Sequence, residues 1–326
     1  MKIAMIGVGG IAGSYRQSLK RLNQPVAAVC DVIEERARQI AHEEGARSYT
    51  DYRPLLEREQ PDAVFVAIPP SAHGSEVADA ALAGCAVFVA KPIALNVAAA
   101  LPTAAVIAKS GVINQVGYMA RYADSTDRAR EIVGDRLIGM LLGRFMCRMS
   151  ASHPWWGQRA KSGGQMLEQT THVFDLTRLF GGEVTHVHAL GRPALAADNG
   201  RPVADFEDCT TCNLQFAGRA TGNISSTYSA SVPDGFALEI IGADLYLRLS
   251  YDLQLSGVVD GQAVSSEGKE AGYFRQVEQF LEAVRTQDQR RVRSSYADAL
   301  KTLAVTDAAN RSLHTGQVER VEETPG

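Results

Sequence analysis

Short apolar runs alternate with longer amphipathic segments along the first 118 residues. The runs are typical of parallel strands buried on both faces, and the longer segments, apolar at every third or fourth position, are typical of helices. The pattern predicts strands at residues 2–6, 26–30, 63–68, 86–90 and 112–116, and helices at residues 11–22, 33–44, 54–59, 74–83 and 97–109. Their alternation predicts right-handed β-α-β units in a doubly wound parallel sheet. Pro102 lies inside the last helix, where we expect it to kink the helix or shift its start.

The pattern changes after about residue 119, where strand-like stretches follow one another. They lie at residues 140–150, 184–190, 210–216, 220–229, 236–242 and 245–250, with helices at residues 124–135, 165–180, 273–285 and 295–314. Consecutive strands without intervening helices favour a large, open, mostly antiparallel sheet. We therefore expect an α/β protein of two domains, residues 1–118 with the parallel sheet and residues 119–326 with the open sheet.

Composition and charge narrow the class of protein without changing this organisation. The chain has 326 residues, 45% hydrophobic and 21% charged, which suits a globular protein of about two domains. Its net charge of -4 gives no bulk attraction for nucleic acid, and no apolar run reaches the roughly 18 residues of a membrane helix. The N-terminus lacks the pattern of a signal peptide, and five cysteines cannot all pair. We therefore expect a cytoplasmic protein with reduced thiols and with neither nucleic-acid nor membrane partners.

A glycine-rich segment, Gly7-Val-Gly9-Gly10-Ile11-Ala12, joins the first predicted strand to the first helix. Gly7 would permit a tight turn, Gly9 would let the backbone approach a pyrophosphate, and Ala12 is a small residue where the helix meets the strand. Gly10 and Ile11 lead into the helix, whose N-terminus offers N–H groups and a partial positive charge to phosphates. The motif predicts a dinucleotide-binding Rossmann domain, and a tight turn without a ligand is the alternative.

Asp31 follows Gly7 by 24 residues, near the spacing expected of the acid that binds the adenosine ribose. Its carboxylate would accept hydrogen bonds from both ribose hydroxyls and would repel a 2′-phosphate, which favours NAD over NADP as the cofactor. Arg36 and Arg38 on the next predicted helix leave NADP open. A solvated aspartate in a turn is the alternative for Asp31.

Other candidates follow further strands of the parallel sheet, at the carboxyl ends where such sheets bind ligands. Pro69 and His73 follow the strand at residues 63–68, and His73 would line the cofactor channel or cap the next helix. Lys91 follows the apolar run that ends at Ala90. Near a nicotinamide, a lysine would hydrogen-bond a substrate hydroxyl and oppose the charge of an alkoxide. A surface lysine is the alternative.

A second cluster follows Gly163-Gly164, on the helix predicted at residues 165–180. Glu168, His172 and Asp175 are spaced at i, i+4 and i+7, which predicts that they share one helix face. Three interpretations are open: His172 with a carboxylate partner acts as a general acid or base, the stripe binds a metal, or it is a buried hydrogen-bonded network. Because no HExxH pattern or second ligand cluster accompanies it, we expect no metal.

The remaining candidates are weaker signals. Trp155 and its neighbour would wall a substrate pocket against the C–H faces of a sugar, or would belong to the core. Lys161 and Arg121 would hold substrate hydroxyls or lie at the surface. Cys209 and Cys212 form a CxxC motif in a predicted strand, so their thiols would point to opposite faces and favour neither metal binding nor redox chemistry.

These residues together resemble the Gfo/Idh/MocA oxidoreductases over nearly the whole chain. The resemblance includes IGVGGIAG in the first loop, VAKPIAL around Lys91, QVGYMAR ending at Arg121, and GG-x7-H-x2-D through His172 and Asp175. It implies a nucleotide-binding domain followed by an α/β domain whose open sheet packs against its mate in homodimers or homotetramers. It also implies that the peptide bond between Lys91 and Pro92 is cis.

The same resemblance implies catalytic roles for Lys91 and His172, with Glu168 as the acidic partner. Two residues depart from the family pattern. Ala90 stands where the family commonly has Glu, so a contact near the cofactor is missing or is supplied elsewhere. Glu168 stands where Asp is usual, and its extra methylene would move the carboxylate by about 1 Å, a displacement large enough to affect rate.

The leading hypothesis is an NAD-dependent dehydrogenase that transfers a hydride between a nicotinamide and a secondary alcohol of a sugar, sugar derivative or cyclic polyol. Lys91, Glu168 and His172 would contact this substrate as well as act on it. Two alternatives remain open: a redox-neutral glycosidase or lyase that oxidises its substrate transiently with bound NAD, and a non-catalytic NAD-binding regulator.

Overall fold

The computed structural model describes residues 1–149, 154–193, 204–229, 231–232, 235–250, 254–268, 270 and 272–324. The chain forms two compact units. The first comprises Met1–Ala94, Ala98–Met119 and Gly272–Leu300, and the second comprises Leu95–Val97, Ala120–Ala271 and Lys301–Gly326. The helices are α1 (Ala12–Arg21), α2 (Glu34–Glu44), α3 (Tyr52–Glu59), α4 (Glu76–Leu82), α5 (Val97–Ser110), α6 (Asp124–Val133), α7 (Arg159–Ser162), α8 (Gln165–Glu168), α9 (Thr171–Gly181), α10 (Gly272–Thr286) and α11 (Tyr296–Thr315).

The first unit contains a parallel sheet of six strands in the order β3-β2-β1-β4-β5-β6. The strands are β1 (Ile3–Ile6), β2 (Val26–Cys30), β3 (Arg47–Tyr49), β4 (Ala63–Val66), β5 (Ala86–Val89) and β6 (Asn114–Val116). This order is that of dinucleotide-binding α/β folds, with the reversal of strand order between β1 and β4. The predicted doubly wound parallel sheet is therefore confirmed.

An aromatic cluster fills the core of the first unit. Phe65 on β4 and Phe88 on β5 stack with their ring centroids 4.8 Å apart, and Tyr15 of α1 meets Phe88 edge-on at 4.9 Å. Phe280 of α10 packs edge-on against both phenylalanines at 5.4 Å and is fully buried. Residues 272–300 therefore complete the first unit, whereas the sequence pattern assigned them to the second domain.

Two details of this unit differ from the predicted pattern. β3 was not predicted, because its three residues are mostly exposed and form no apolar run. Helix α5 starts at Val97 and continues through Pro102, so the proline does not shift the start of the helix.

The second unit contains a sheet of nine described strands in the order β14-β13-β12-β11-β7-β10-β9-β8-β15. The strands are β7 (Ile138–Met146), β8 (Val184–Pro193), β9 (Glu207–Phe216), β10 (Thr221–Thr227), β11 (Phe236–Gly242), β12 (Leu245–Ser250), β13 (Leu255–Val259), β14 (Gln262–Ser266) and β15 (Glu319–Arg320). β7 and β10 are parallel, and the other neighbouring strands are antiparallel. The predicted open, mostly antiparallel sheet is confirmed, while β13, β14 and β15 were not predicted.

Helix α9 covers the buried face of this sheet. Val173 of α9 approaches Gly143 of β7 so closely that a Cβ at position 143 would lie 2.4 Å from Val173 Cγ1. β7 ends at Met146, and residue 150, the predicted end of that strand, lies outside the described residues. No helix in the described part of the chain has both the length and the apolar character needed to cross a membrane.

Candidate functional site

The glycine-rich loop between β1 and α1 has the geometry of a phosphate-binding turn. Gly7 has φ +79°, and a Cβ there would lie 2.4 Å from the carbonyl oxygen of Ala67, so only glycine fits. A Cβ at Gly9 would meet nothing closer than Arg36 Nη1 at 3.4 Å, which leaves space beside the backbone for a ligand. Ala12 is fully buried and Ile11 is 36% exposed at the start of the helix. The loop thus fits a pyrophosphate at the N-terminus of α1.

Asp31 lies beside this loop with its carboxylate fixed in place. It accepts hydrogen bonds from the backbone N–H of Val8 at 3.2 Å and of Ile33 at 2.9 Å. Arg36 Nη1 forms an ion pair with Asp31 Oδ2 at 3.3 Å, whereas Arg38 pairs with Glu34 at 2.6 Å. The position of Asp31 fits the ribose contact expected of it. Its pairing with Arg36 was not predicted.

Beyond β4, His73 forms a buried pair with Glu76. Its Nδ1 lies 2.6 Å from Glu76 Oε1, and Glu76 Oε2 accepts the N–H of Gly74 at 2.8 Å. Burial opposes ionisation of Glu76, but the hydrogen bond and charge of His73 outweigh it and hold the pKa of this carboxyl below its usual range. His73 Nε2 is buried and has no hydrogen-bond partner among the described residues. Such an orphaned atom fits a ligand group near Pro69 and His73.

Lys91 lies two residues beyond the end of β5 and is partly exposed. The peptide bond between Lys91 and Pro92 is cis, as the family resemblance implied. Ala90 is buried, with 2% of its surface exposed. The lysine therefore follows the strand at the carboxyl edge of the parallel sheet, where ligands of such sheets bind.

The prediction of a single helix at residues 165–180 is wrong, because the helix is interrupted between α8 and α9. Thr170 N–H donates to the carbonyl of Gln165, five residues back, at 3.0 Å. Glu168 ends α8 and His172 is the second residue of α9, so the two are not one turn apart on a continuous helix. Both side chains are nevertheless buried, with 5% and 6% exposed.

The glycine pair before α8 is required by its local geometry. Gly163 and Gly164 have φ +74° and +88°, and a Cβ at position 163 would lie 2.2 Å from Leu167 Cδ2. Asn310 Nδ2 donates to the carbonyl of Gly163 at 3.0 Å. These contacts fix the entry into α8 and therefore the position of Glu168 at its end.

Tyr228 is a residue of this site that the sequence analysis missed. It follows β10, and its hydroxyl donates to Glu168 Oε2 at 3.3 Å. Its ring lies parallel to that of Trp156, with centroids 6.3 Å apart, and Trp156 meets Trp155 edge-on at 6.2 Å. The signal that could have identified Tyr228 is its place near the end of the strand predicted at residues 220–229, by analogy with the strand-end residues of the first domain.

Arg121 forms a buried ion pair with Asp175 that the sequence did not predict. Arg121 Nε and Nη2 donate to the two carboxylate oxygens of Asp175, both at 2.7 Å, and both side chains are buried. Thr302 also donates to Asp175, at 2.9 Å. This two-pronged buried ion pair explains both residues structurally, and a contact of Arg121 with substrate hydroxyls stays a prediction.

The other candidates are placed as follows. Lys161 is exposed on α7, and Trp155 is partly buried. Cys209 is partly buried and Cys212 fully buried on β9, which confirms that they face opposite sides of the sheet. Within the described ranges, no group of three or more His, Cys, Asp or Glu side chains is arranged to hold a metal ion.

Comparison with known protein families identifies both parts of the chain. Residues 1–118 match the family model described as "Oxidoreductase family, NAD-binding Rossmann fold". Residues 126–248 match the model described as "GFO/IDH/MocA C-terminal domain". The two matches lie in the order that the resemblance implied.

Individual relatives agree with the family models. The chain is 29% identical over 306 residues to myo-inositol 2-dehydrogenase of Thermotoga maritima, covering 93% of this chain and 86% of that protein. It is 30% identical over 264 residues to D-apiose dehydrogenase of Paraburkholderia graminis, covering 78% and 68%. An oxidoreductase from Agrobacterium radiobacter, solved with NAD+, L-tartaric acid and magnesium, has a TM-score of 0.85 at 19% identity over 98% of both chains. A likeness at that identity shows the fold alone.

Proposed function

This chain belongs to the Gfo/Idh/MocA family of NAD-binding oxidoreductases, and we propose that it oxidises a secondary alcohol of a sugar, sugar derivative or cyclic polyol. One observation carries the proposal: a buried histidine, His172, and a buried carboxylate, Glu168, flank a helix break in a chain whose other unit has a dinucleotide-binding loop. The names of the relatives support the substrate class, since they act on a cyclic polyol and on a sugar.

Each candidate residue has a distinct part in the proposed reaction. When bound, NAD supplies the ring carbon that accepts the hydride from the alcohol carbon. Neutral His172 takes the hydroxyl proton, because only the unprotonated imidazole can accept it. Lys91 donates a hydrogen bond to the same oxygen and opposes its developing negative charge. Glu168 orients the groups around the reacting oxygen.

The cofactor is held by residues of the first unit. Gly7, Gly9, Gly10, Ile11 and Ala12 form the turn and helix start proposed to bind the pyrophosphate.

The ribose and the far end of the cofactor have separate contacts in this proposal. Asp31 accepts from the adenosine ribose and disfavours a 2′-phosphate. Pro69, His73 and Lys91 serve the nicotinamide end. The orphaned Nε2 of His73 supports this, because a ligand hydroxyl or amide would satisfy it.

The substrate side of the proposal includes the aromatic residues before α7. Trp155 packs edge-on against Trp156, giving an apolar surface suited to the C–H face of a sugar or polyol ring. Lys161, exposed on α7, remains a candidate for a substrate hydroxyl.

A panel of sugars, sugar derivatives and polyols, assayed with NAD and with NADP in parallel, tests the function. We expect net formation of NADH with at least one polyol or sugar. Substrate turnover without net NADH would support a redox-neutral glycosidase or lyase. Tight NAD binding without turnover across the panel would contradict the enzyme hypothesis and support a regulator.

Self-association through the open sheet is also part of the proposal. Met140, Ile241, Tyr246 and Val258 stand directly opposite one another on four adjacent strands and so share one face. Three of them are 39–46% exposed. An apolar row of this kind suits a second copy of the chain in a homodimer or homotetramer, which sedimentation analysis of Met140→Lys would test. We propose the cytoplasm as the compartment, where the five free cysteines would stay reduced.

A further inference from the structure

We propose that Tyr228 is a positioning residue, which holds the Glu168 carboxylate in the geometry that the reaction needs. The inference rests on the proposed function. The Tyr228 hydroxyl donates to Glu168 Oε2 at 3.3 Å. Each of the two residues has only 5% of its surface exposed, so water cannot readily replace this contact.

The tyrosine ring is fixed by its neighbours before any ligand binds. It lies parallel to Trp156, with an interplanar angle of 11°, and packs against Phe206 with ring centroids 6.2 Å apart. Asp208, itself buried, accepts hydrogen bonds from the backbone N–H of Tyr228 and from the Ser229 hydroxyl. The ring and the backbone are therefore both held, and the direction of the hydroxyl follows from them.

The charges around the hydroxyl keep it a donor. Burial raises the pKa of Tyr228 well above its usual range, and the nearby Glu168, Cys147 and Asp208 raise it further. The phenol thus stays protonated at any pH at which the enzyme would work. The hydroxyl therefore keeps its proton for the hydrogen bond to Glu168 Oε2.

The proposal also accounts for the departure at position 168. Glu168 carries one more methylene than an aspartate would, which gives its carboxylate both greater reach and greater rotational freedom. The hydrogen bond from Tyr228 removes part of that freedom. The longer side chain and the tyrosine therefore form a unit, and each is expected to lose its effect without the other.

Tyr228→Phe tests the inference with the full-length enzyme. We expect kcat to fall by about tenfold, the lower end of the range for losing a hydrogen bond to a charged group. We expect the loss to appear in kcat rather than in KM, while the Kd for NAD stays unchanged. Tyr296→Phe is the matched control: its phenol is also buried, with a pKa raised by burial, and it lies outside the proposed site.

A double-mutant cycle separates positioning from a direct substrate contact. Glu168→Asp keeps the charge but withdraws the carboxylate by about 1 Å. We expect Tyr228→Phe to change kcat by less than about twofold in that background, since the hydrogen bond is already lost. An equal loss in both backgrounds, or a loss that appears in KM alone, would overturn the proposal.

A spectroscopic readout makes the test independent of the substrate. With 13C-labelled glutamate, the resonance lost in Glu168→Gln identifies the Glu168 carboxyl, whose chemical shift should change in Tyr228→Phe but not in Tyr296→Phe. An unchanged chemical shift would contradict the positioning role even if the enzyme turns over. If no substrate is oxidised but the chemical shift does change, the proposed function fails and the contact stands. Should Tyr228→Phe not fold, 3-fluorotyrosine at position 228, a stronger donor, should shift the same resonance.

Discussion

At the residue scale, Asp31 and Arg36 form an ion pair, and a bound cofactor would have to separate the two side chains. Arg36 Nη1 lies 3.3 Å from Asp31 Oδ2, and a Cβ at Gly9 would be 3.4 Å from the same nitrogen. The guanidinium therefore stands at the edge of the phosphate loop while its charge is balanced by Asp31. Removing the carboxylate would leave Arg36 available to a 2′-phosphate.

We predict that Asp31→Ala weakens NAD binding by about tenfold and narrows or reverses the preference for NAD over NADP. The reason is that the ribose loses its acceptor while Arg36 gains a phosphate partner. Dissociation constants for both cofactors, measured by titration calorimetry, check this. Adding Arg36→Ala should abolish the gain for NADP, whereas Arg38→Ala, which removes an exposed partner of Glu34, should not. A wild type that already prefers NADP would show that Asp31 has another role.

His172 gives the second prediction at this scale. If it is the base, kcat/KM for alcohol oxidation rises with pH through one ionisation in the histidine range, since neutral imidazole is the active form. His172→Asn should lower the rate by about two to four orders of magnitude and flatten this limb. Stopped-flow rates across pH, with thermal unfolding as a control for folding, measure both effects.

The behaviour of Glu168→Gln and the folding of His172→Asn decide how a negative result is interpreted. Glu168→Gln should cause a smaller loss and a displaced limb, because it changes the surroundings of the imidazole and leaves the base in place. Loss of folding in His172→Asn would instead support a buried structural network. Wild-type turnover in a folded His172→Asn protein would move the search for the base to His73.

At the element scale, the Arg121–Asp175 pair ties three segments of the second unit together. Arg121 belongs to the 3-10 turn Met119–Tyr122, Asp175 to α9, and Thr302 to α11. Arg178, one turn beyond Asp175, donates to the Thr302 hydroxyl at 2.7 Å and so extends the network. His172 is carried by the same helix as Asp175, and the network therefore sets where that helix lies.

We predict that Asp175→Asn lowers the free energy of unfolding by about 3–5 kcal/mol, because it leaves the buried Arg121 guanidinium without its counter-charge. Denaturant titration measures the loss. Glu131→Gln is the matched control, since it breaks an exposed ion pair with Arg128 and should change stability by less than about 1 kcal/mol. A folded Asp175→Asn protein of wild-type stability with impaired substrate binding would restore a direct substrate role for this pair.

The sequence predicted those elements whose own pattern of apolar residues shows that they are buried. β2, β11 and β12 have the predicted bounds, since each is a run or an alternation of apolar residues. The break between α8 and α9 was missed because residues 165–180 keep a helical period on both sides of it. Likewise, the residue type and local pattern were enough to identify Lys91 and His172 as candidates. Sequence alone could not identify Tyr228, Glu76 and Arg36, because their partners become neighbours only in the fold.

At the scale of the whole molecule, a buried carboxylate links stability to pH. Glu59, 2% exposed, accepts hydrogen bonds from Tyr49 and Arg47 and pairs with Lys2 at 3.2 Å. Burial opposes its ionisation, but these three contacts outweigh burial and hold its pKa below its usual range. A carboxyl whose pKa is lower in the folded state stabilises the fold above its unfolded pKa, and this stabilisation disappears as the pH falls through the folded pKa.

We predict that the free energy of unfolding declines as the pH drops below about 4.5. In this region the carboxyl groups of Glu59 and Glu76 become protonated in the unfolded chain but stay ionised in the folded protein. Urea titrations between pH 7 and pH 3 measure this. Glu59→Gln should be less stable than the wild type at pH 7, and the difference should shrink in acid. Glu57→Gln, an exposed neighbour, should follow the wild type at every pH. A difference that is constant across pH would show that Glu59 acts by packing alone.

The return of α10 to the first unit has a consequence for how the chain is made. A nascent chain that has left the ribosome as far as residue 119 carries all six strands of the parallel sheet, yet Phe280 leaves the ribosome about 160 residues later. At typical bacterial and eukaryotic translation rates this delay is roughly 8–30 s. During it, the face of the Phe65 and Phe88 rings that α10 later covers stays open to water and to chaperones. Residues 120–271 of the second unit are thus synthesised before the first unit can close its own core, and residues 301–326, the last segment of the second unit, follow only after α10.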